Sequence, residues 1–307
     1  MTRVSSFGNQ QVMLSSLLNN QSRVVQSQMQ ITTGKKEESY SGLASEVSTL
    51  LGAKTVFSQT QGYLRASTYA DRFLQTNDIQ LGSMVTNAEE IRDTMLEAIA
   101  QEETFALDEL LSASYATMVS ALNTSIGGVY VFSGGRTDVA PVVGDDISDL
   151  VAAANVADIF SNDQRPPLAR VGENTVVEYG MLADEVGQQV FQVFKDIAEY
   201  SAGPFGPLSG KLNEAQLTFL KAELINMDAA IEDLQVLVAR NGTRQNNVEN
   251  IIKEHENQEV FLEVFISDIE DVNVAEAITR LNNDQIALEA SYKITSELSK
   301  LSLLDFL

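Results

Sequence analysis

The sequence predicts a mainly α protein: a long antiparallel coiled-coil or helical-bundle rod formed by both ends of the chain, with a small β-containing inserted domain. Three observations carry this expectation. Leu217, Leu220, Leu224, Met227, Ile231, Leu234 and Val238 recur at alternating steps of three and four residues, which is the spacing of a heptad seam. Leu81, Met84, Ala88, Ile91, Met95 and Ala98 repeat the pattern in the first half, and Leu74 extends it backwards. Between the two seams, residues 129–181 lose the helical period and are strongly acidic.

In chain order, Val12 to Ile31 is the first amphipathic segment, carrying Val12, Met13, Leu14, Leu17, Leu18, Val24, Val25, Met29 and Ile31 among Ser, Asn and Gln. Thr32-Thr33-Gly34 stops it, with Gly34 suited to a helix C-terminus. Lys35 to Gly42 is a polar connection. A helix, or two nearly continuous ones, should run from Leu43 to Gln101, and another from Leu107 to Ile126. Gly127-Gly128 ends the helical pattern, and Val129-Tyr130-Val131-Phe132 reads as a short strand. Ser133-Gly134-Gly135-Arg136 reads as a turn and Val139 to Val143 as the return strand. Asp145 to Arg170 is weakly helical, and Val171 to Met181 suggests a further strand or hairpin. Leu182 to Tyr200 returns to helix, followed by a loop from Ser201 to Gly210.

The second seam then keeps its frame through Asn241, Gln245, Val248, Ile252, His255, Glu259, Leu262, Ile266 and Ile269. Its polar positions weaken the seam while fixing register, and Gly242 is expected to kink or loosen the helix. After a turn at Asp271 to Asn273, the last amphipathic helix carries Leu281, Leu288 and Tyr292, with Ile294, Leu298 and Leu301 on an overlapping row. The expected division is therefore 1–42, assembly helix and connection; 43–128, outgoing rod; 129–181, inserted α/β outer domain; 182–271, returning rod; and 272–307, C-terminal assembly helix. Two amphipathic ends around a longer middle imply termini that come together.

Composition narrows the chemistry. The chain has 307 residues, no cysteine and one histidine, so disulfides, thiolate metal sites and thiol catalysis are excluded. His255-Glu256-Asn257-Gln258-Glu259 is only half of a zinc helix motif, whose clamp needs two histidines one turn apart. A serine triad would have to use the same His255, inside a heptad helix. Asp145, Asp146 and Asp149 lack the glycine and spacing of a calcium loop. No enzyme, cofactor or metal is expected. The net charge of -23 argues against nucleic acid. It is unevenly placed: residues 1–72 hold seven Lys or Arg against four Asp or Glu, leaving 13 against 39 in the rest. The first 36 residues contain Arg3, Arg23, Lys35 and Lys36 and no acid. Such a basic end suits docking on an acidic partner or on neighbouring copies. No secretory signal pattern and no membrane-length apolar stretch occur.

Particular motifs resemble those of the bacterial flagellin superfamily. Gln28-Met29-Gln30-Ile31-Thr32-Thr33-Gly34-Lys35 is similar to its first helix end, and Gly42-Leu43-Ala44 follows the family pattern, although Glu37-Glu38-Ser39-Tyr40 replaces its usual Asp-Asp-Pro-Ala. Arg240-Asn241-Gly242-Thr243-Arg244-Gln245-Asn246 resembles another family stretch. Asp268-Ile269-Glu270-Asp271-Val272-Asn273-Val274-Ala275-Glu276-Ala277, continued by Thr279-Arg280-Leu281 and Gln285, resembles the most specific one. Val129 to Asp138 and the closing Leu301-Ser302-Leu303-Leu304-Asp305-Phe306-Leu307 are most similar to the hook-associated type 3 branch.

The resemblance implies a structural subunit of the flagellum at the hook–filament junction, with filament flagellin as the alternative. It implies export without a cleaved signal to the extracellular flagellum. The implied partners are neighbouring copies, other axial proteins (hook-associated proteins and flagellin) and an export chaperone. A helix with an apolar stripe and no partner in its own monomer is marginal in water, so both termini should order only when neighbours bury them. Leu17, Val24, Leu281, Leu288, Leu298 and Leu301 are the expected assembly residues, each worth ~1.5–3 kcal/mol if fully buried, before ordering costs. A generic coiled-coil interaction protein would explain the seams but not the two sticky ends.

Overall fold

The structure is a computed structural model that describes residues 2–37, 39–43 and 46–304; the side chains of 2–7, 9, 10 and 298–304 lie outside the description. It is mainly helical: α1 (Thr2–Thr33), α2 (Val47–Gln101), α3 (Leu107–Leu122), α4 (Ile147–Ala152), α5 (Ala183–Ala202), α6 (Glu214–Glu270) and α7 (Val274–Leu304). Among the described residues, six short strands form three antiparallel pairs. They are β1 (Glu103–Thr104) with β6 (Gly210–Lys211), β2 (Ser125–Ile126) with β3 (Val129–Tyr130), and β4 (Leu168–Arg170) with β5 (Val176–Glu178). The chain divides into two compact units, residues 1–59 with 258–307, and residues 60–257.

The unit 60–257 is built on the heptad seams. Leu81, Met84, Ala88, Ile91, Met95 and Ala98 of α2 are buried in one core with Leu220, Met227, Ile231 and Leu234 of α6. Here the two helices are antiparallel: Tyr63 stacks on His255, and farther along α2 the Leu74 carbonyl accepts from Asn241 Nδ2 at 2.8 Å. Asn241 is fully buried at its heptad position, the polar rung expected to fix register. Gly242 does not interrupt α6, which is continuous to Glu270. Gly62, Gly82 and Gly242 here, and Gly52 in the other unit, lie inside long helices with open space where a Cβ would be.

The core's bulk comes from α3 and α5. Tyr115, Phe132, Phe191 and Phe194 are fully buried, with Tyr115 and Phe191 ring centroids 5.0 Å apart. Burial and the negative field of Asp149, Asp145 and Asp146 push the Tyr115 hydroxyl up to about 12. Val131, Phe132, Val142, Leu150, Val156, Ile159 and Met181 share this core, so the acidic middle segment packs with α3 and α5 rather than around apolar residues of its own. Lys195 of α5 is buried and donates to the Leu150 carbonyl (3.3 Å) and the Ala153 carbonyl, satisfying the C-terminal end of α4. A second small cluster joins the β4–β5 hairpin (Ala169, Val171, Val177) to Ala70, Leu74 and Val248.

The strand reading needs one correction. Val129-Tyr130 does not pair with Val139 to Val143 across Ser133-Gly134-Gly135-Arg136. It folds back on Ser125-Ile126 across Gly127-Gly128, whose φ values of 60° and 85° are those of a two-residue type I′ hairpin turn. Val142 instead bridges Phe160. The third helix also stops at Leu122, earlier than the expected Ile126.

Candidate assembly surface

In the other unit, α1 packs along α7. Local chemistry explains where α1 ends: Gly34 takes φ 72° and its N–H returns to the Gln30 carbonyl at 2.9 Å, a glycine C-cap. The chain then crosses to the junction of α6 and α7. Lys36 N donates to the Glu270 carbonyl (2.7 Å) and Val272 N to the Gly34 carbonyl (2.9 Å). Lys35 Nζ reaches Glu270 Oε2 at 3.1 Å and Asp271 Oδ1 at 2.6 Å, while Lys54 of α2 pairs with Glu270 Oε1. The hydrogen bond from Lys35, followed by one from Ser267, holds Asp271 below its ordinary value. Burial pushes the Glu270 carboxyl up, but the bonds from Lys54 and Lys35 outweigh it and leave it lowered. The hydrogen bond to Asp271 raises Lys35, and that to Glu270 raises Lys54.

Along the helix pair the direct bonds are polar. Asn20 Nδ2 donates to Ser291 Oγ at 2.8 Å, and Ser27 Oγ to Asp284 Oδ2 at 3.3 Å; Arg23 pairs with Asp284 Oδ1. Asp284 is buried, and its carboxylate is satisfied from α1 by both groups. A shallow cavity of about 250 Å³ beside it is lined by Arg23, Ser27, Gln30, Arg280, Asn283 and Asp284.

Apolar burial in this unit is sparse. Of the expected assembly residues, Val24 is buried, whereas Leu17, Leu281 and Leu288 are half-buried; Leu298 and Leu301 lie outside the described side chains. The structure places Val24 on α1 and Leu281 and Leu288 on α7, the two helices that pair. The expectation that the terminal helices lack a partner in the monomer is corrected: each is the other's partner, because the rungs at Asn20, Arg23 and Ser27 meet Ser291 and Asp284. Yet Val12 (71% exposed), Leu14, Leu18 and Val25 on α1, and Ile278, Ile286 (66%), Tyr292 and Ile294 on α7, remain in solvent. The Lys35–Lys54–Glu270–Asp271 knot was not anticipated. Its signal was present as a basic, acid-free first segment beside an acidic Asp268 to Asp271. His255, the half zinc motif, bonds the Val171 carbonyl at 2.7 Å and stacks on Tyr63.

Among the described residues, no helix is long and apolar enough to cross a membrane, and no group of three or more His, Cys, Asp or Glu could hold a metal ion. The described residues form a long-helix protein whose terminal helices pair yet keep large apolar residues exposed. Residues 224–307 match the bacterial flagellin C-terminal helical region. Three solved structures share the fold. One, described as a flagellar hook-associated protein from Vibrio parahaemolyticus, is 17% identical with a TM-score of 0.58, covering 75% of this chain and 100% of that one. Bacillus cereus FlgL is 14% identical (TM-score 0.54; 71% and 99% covered), and Xanthomonas campestris FlgL is 13% identical (0.58; 70% and 99%). No curated protein matches the chain by sequence. The resemblance read from the sequence is thus met twice, by the flagellin region at the C-terminal end and by the fold of flagellar hook-associated proteins.

Proposed function

We propose that this chain is a structural, non-enzymatic subunit of the bacterial flagellum that works at the junction between hook and filament. The observation that carries the reading is the α1–α7 pair, which leaves Val12, Leu18, Ile286 and Ile294 exposed for a neighbour to cover. Beside the buried Val24, assembly covers the half-buried Leu17, Leu281 and Leu288, and Leu298 and Leu301 count with them by their place in the sequence. Contacts between copies in a ring or tube are heterologous, so one surface of each subunit meets a different surface of the next. The subunit is exported with the help of an export chaperone to the extracellular flagellum, where it meets hook-associated proteins and flagellin.

The test is assembly of the purified chain seeded with isolated hooks and imaged by electron microscopy. A thin collar at the hook end that stops growing is expected. Long homopolymers would move the assignment to filament flagellin, and failure to associate with hooks would remove the flagellar reading.

A further inference from the structure

Within the unit 60–257, two contacts fix which residues of α5 and α6 come level. Arg240 pairs with Glu185 near the start of α5 (2.6 Å), and Tyr200 stacks on Phe219 near its end, with centroids 3.9 Å apart. The helices are therefore antiparallel here. One turn in from the aromatic stack, Asp196 of α5 comes level with Glu223 of α6. Glu223 is buried (7% exposed) and Asp196 is half-buried. Among the described residues, neither carboxylate forms an ion pair. Each instead accepts from a neutral amide on its own helix, Asn226 Nδ2 to Glu223 Oε2 at 3.2 Å and Gln192 Nε2 to Asp196 Oδ1 at 2.9 Å. The bases nearby are engaged elsewhere. Lys195 donates to the Leu150 and Ala153 carbonyls and pairs with Glu199 at 3.4 Å. Arg92 of α2, level with Glu223 by the register of the Leu74–Asn241 contact, donates to Asp93 beside it at 2.8 Å. The other elements packed on α5 hold no Lys or Arg: α3 brings Asp108 and Glu109, α4 brings Asp149, and the single 3-10 turn Val156–Ile159 brings Asp158.

Two carboxylates removed from water and facing each other repel while both are ionised, and one proton turns the repulsion into a carboxyl–carboxylate hydrogen bond. We propose that Asp196 and Glu223 are an acid-operated brace between α5 and α6: apart at neutral pH, they take up a shared proton in mild acid and join the two helices. Burial raises both groups above their ordinary values, the amide bonds pull each back, and the fields of Asp196 on Glu223 and of Glu199 on Asp196 raise them again, with Lys195 offsetting least. A carboxylate raised in the fold contributes stability below its unfolded value, near pH 4, and that contribution is lost as pH rises through the folded value. Glu270 and Asp271 have the opposite sign, because their folded values are lowered. Acidification from neutral pH therefore firms the α5–α6 contact first, and only at lower pH slackens the fastening of Lys35 to the α6–α7 joint. This inference is independent of the flagellar reading.

The test follows hydrogen exchange in the full chain, kept dilute enough to stay monomeric and corrected for the intrinsic pH dependence of exchange. Protection of α5 is expected to rise about three- to tenfold between about pH 7 and about pH 5. Glu223→Gln with Asp196→Asn removes both charges at nearly unchanged shape, so α5 should be well protected already at neutral pH and the pH dependence should vanish. Acid also relieves the general repulsion of a chain with net charge -23. Glu232→Gln with Asp233→Asn controls for this by removing two exposed charges from the same helix, and should leave the α5 response intact. A second measurement needs no variant to fold well: NMR of isotope-labelled carboxyl carbons in the unaltered chain should show two coupled titrations with at least one midpoint above the ordinary carboxylate value of about 4. Both groups titrating at or below that value, α5 protection that stays flat or falls with acid, or a response lost equally in the exposed-charge control overturns the brace.

Discussion

Residues 60–257 and the α1–α7 pair are both built from long amphipathic helices, but they bury different fractions of their apolar residues. In the first, nearly every heptad position of α2 and α6 is covered, and α3 and α5 add Tyr115, Phe191 and Phe194. In the second, Val24 and Ala277 are buried while Val12, Leu14, Ile286 and Ile294 face solvent, and side-chain hydrogen bonds and an ion pair link the partners. Helical periodicity is therefore the same signal in both, whereas the number of layers stacked on it differs. A two-helix layer has only one neighbour to cover a stripe; a layer of four has several.

Removing residues 272–307 should break the comparison most completely. The unit 60–257 is expected to keep its cooperative thermal unfolding by circular dichroism while assembly is abolished; loss of that transition would mean the two regions are not energetically separate. Next in size, Phe191→Ala should cost about 3–5 kcal/mol in chemical unfolding, as for other fully buried aromatics. Val12→Ala should change monomer stability by no more than about 0.5 kcal/mol, and an equal loss at both sites would erase the distinction. Asp284→Ala leaves Arg23 and Ser27 without their acceptor and should loosen the helix pair by about 1–3 kcal/mol, read as faster hydrogen exchange in α1 and α7 but not in α5.

The smallest effect concerns acid. Glu270 and Asp271 have lowered folded values, so their contribution is present above the unfolded carboxylate range, near pH 4, and fades as pH falls through the folded values. Exchange protection around Gly34 to Lys36 should drop there, and Glu270→Gln should flatten that dependence.

The seams were legible because a three-four spacing admits little but a helix face, and every buried position of Leu81 to Ala98 follows it. Gly34 was legible as a cap for an equally local reason. The β2–β3 hairpin was misplaced although its signal is local: Gly127-Gly128 is a two-residue turn with strand residues on both sides, and the longer Gly134-Gly135 turn competed for the same strand. The β1–β6 pairing joins residues 103–104 to 210–211, and no local pattern announces a partner so distant. The same holds for Lys195, whose acceptors on α4 exist only once α4 and α5 have packed. At the assembly surface, the apolar row was readable as periodicity, but not that Asp284 and Lys35 would supply the fastening, since polar residues carry no period.

Gly52, Gly62, Gly82 and Gly242 have room for a methyl group and a helical backbone that would welcome it. Alanine at each would add up to about 1 kcal/mol of helix stability. The chain therefore holds stiffness in reserve. Its two longest helices are softer than their sequence neighbours require at four known points, and a quadruple alanine variant would be the more heat-resistant and less pliant version of the same protein.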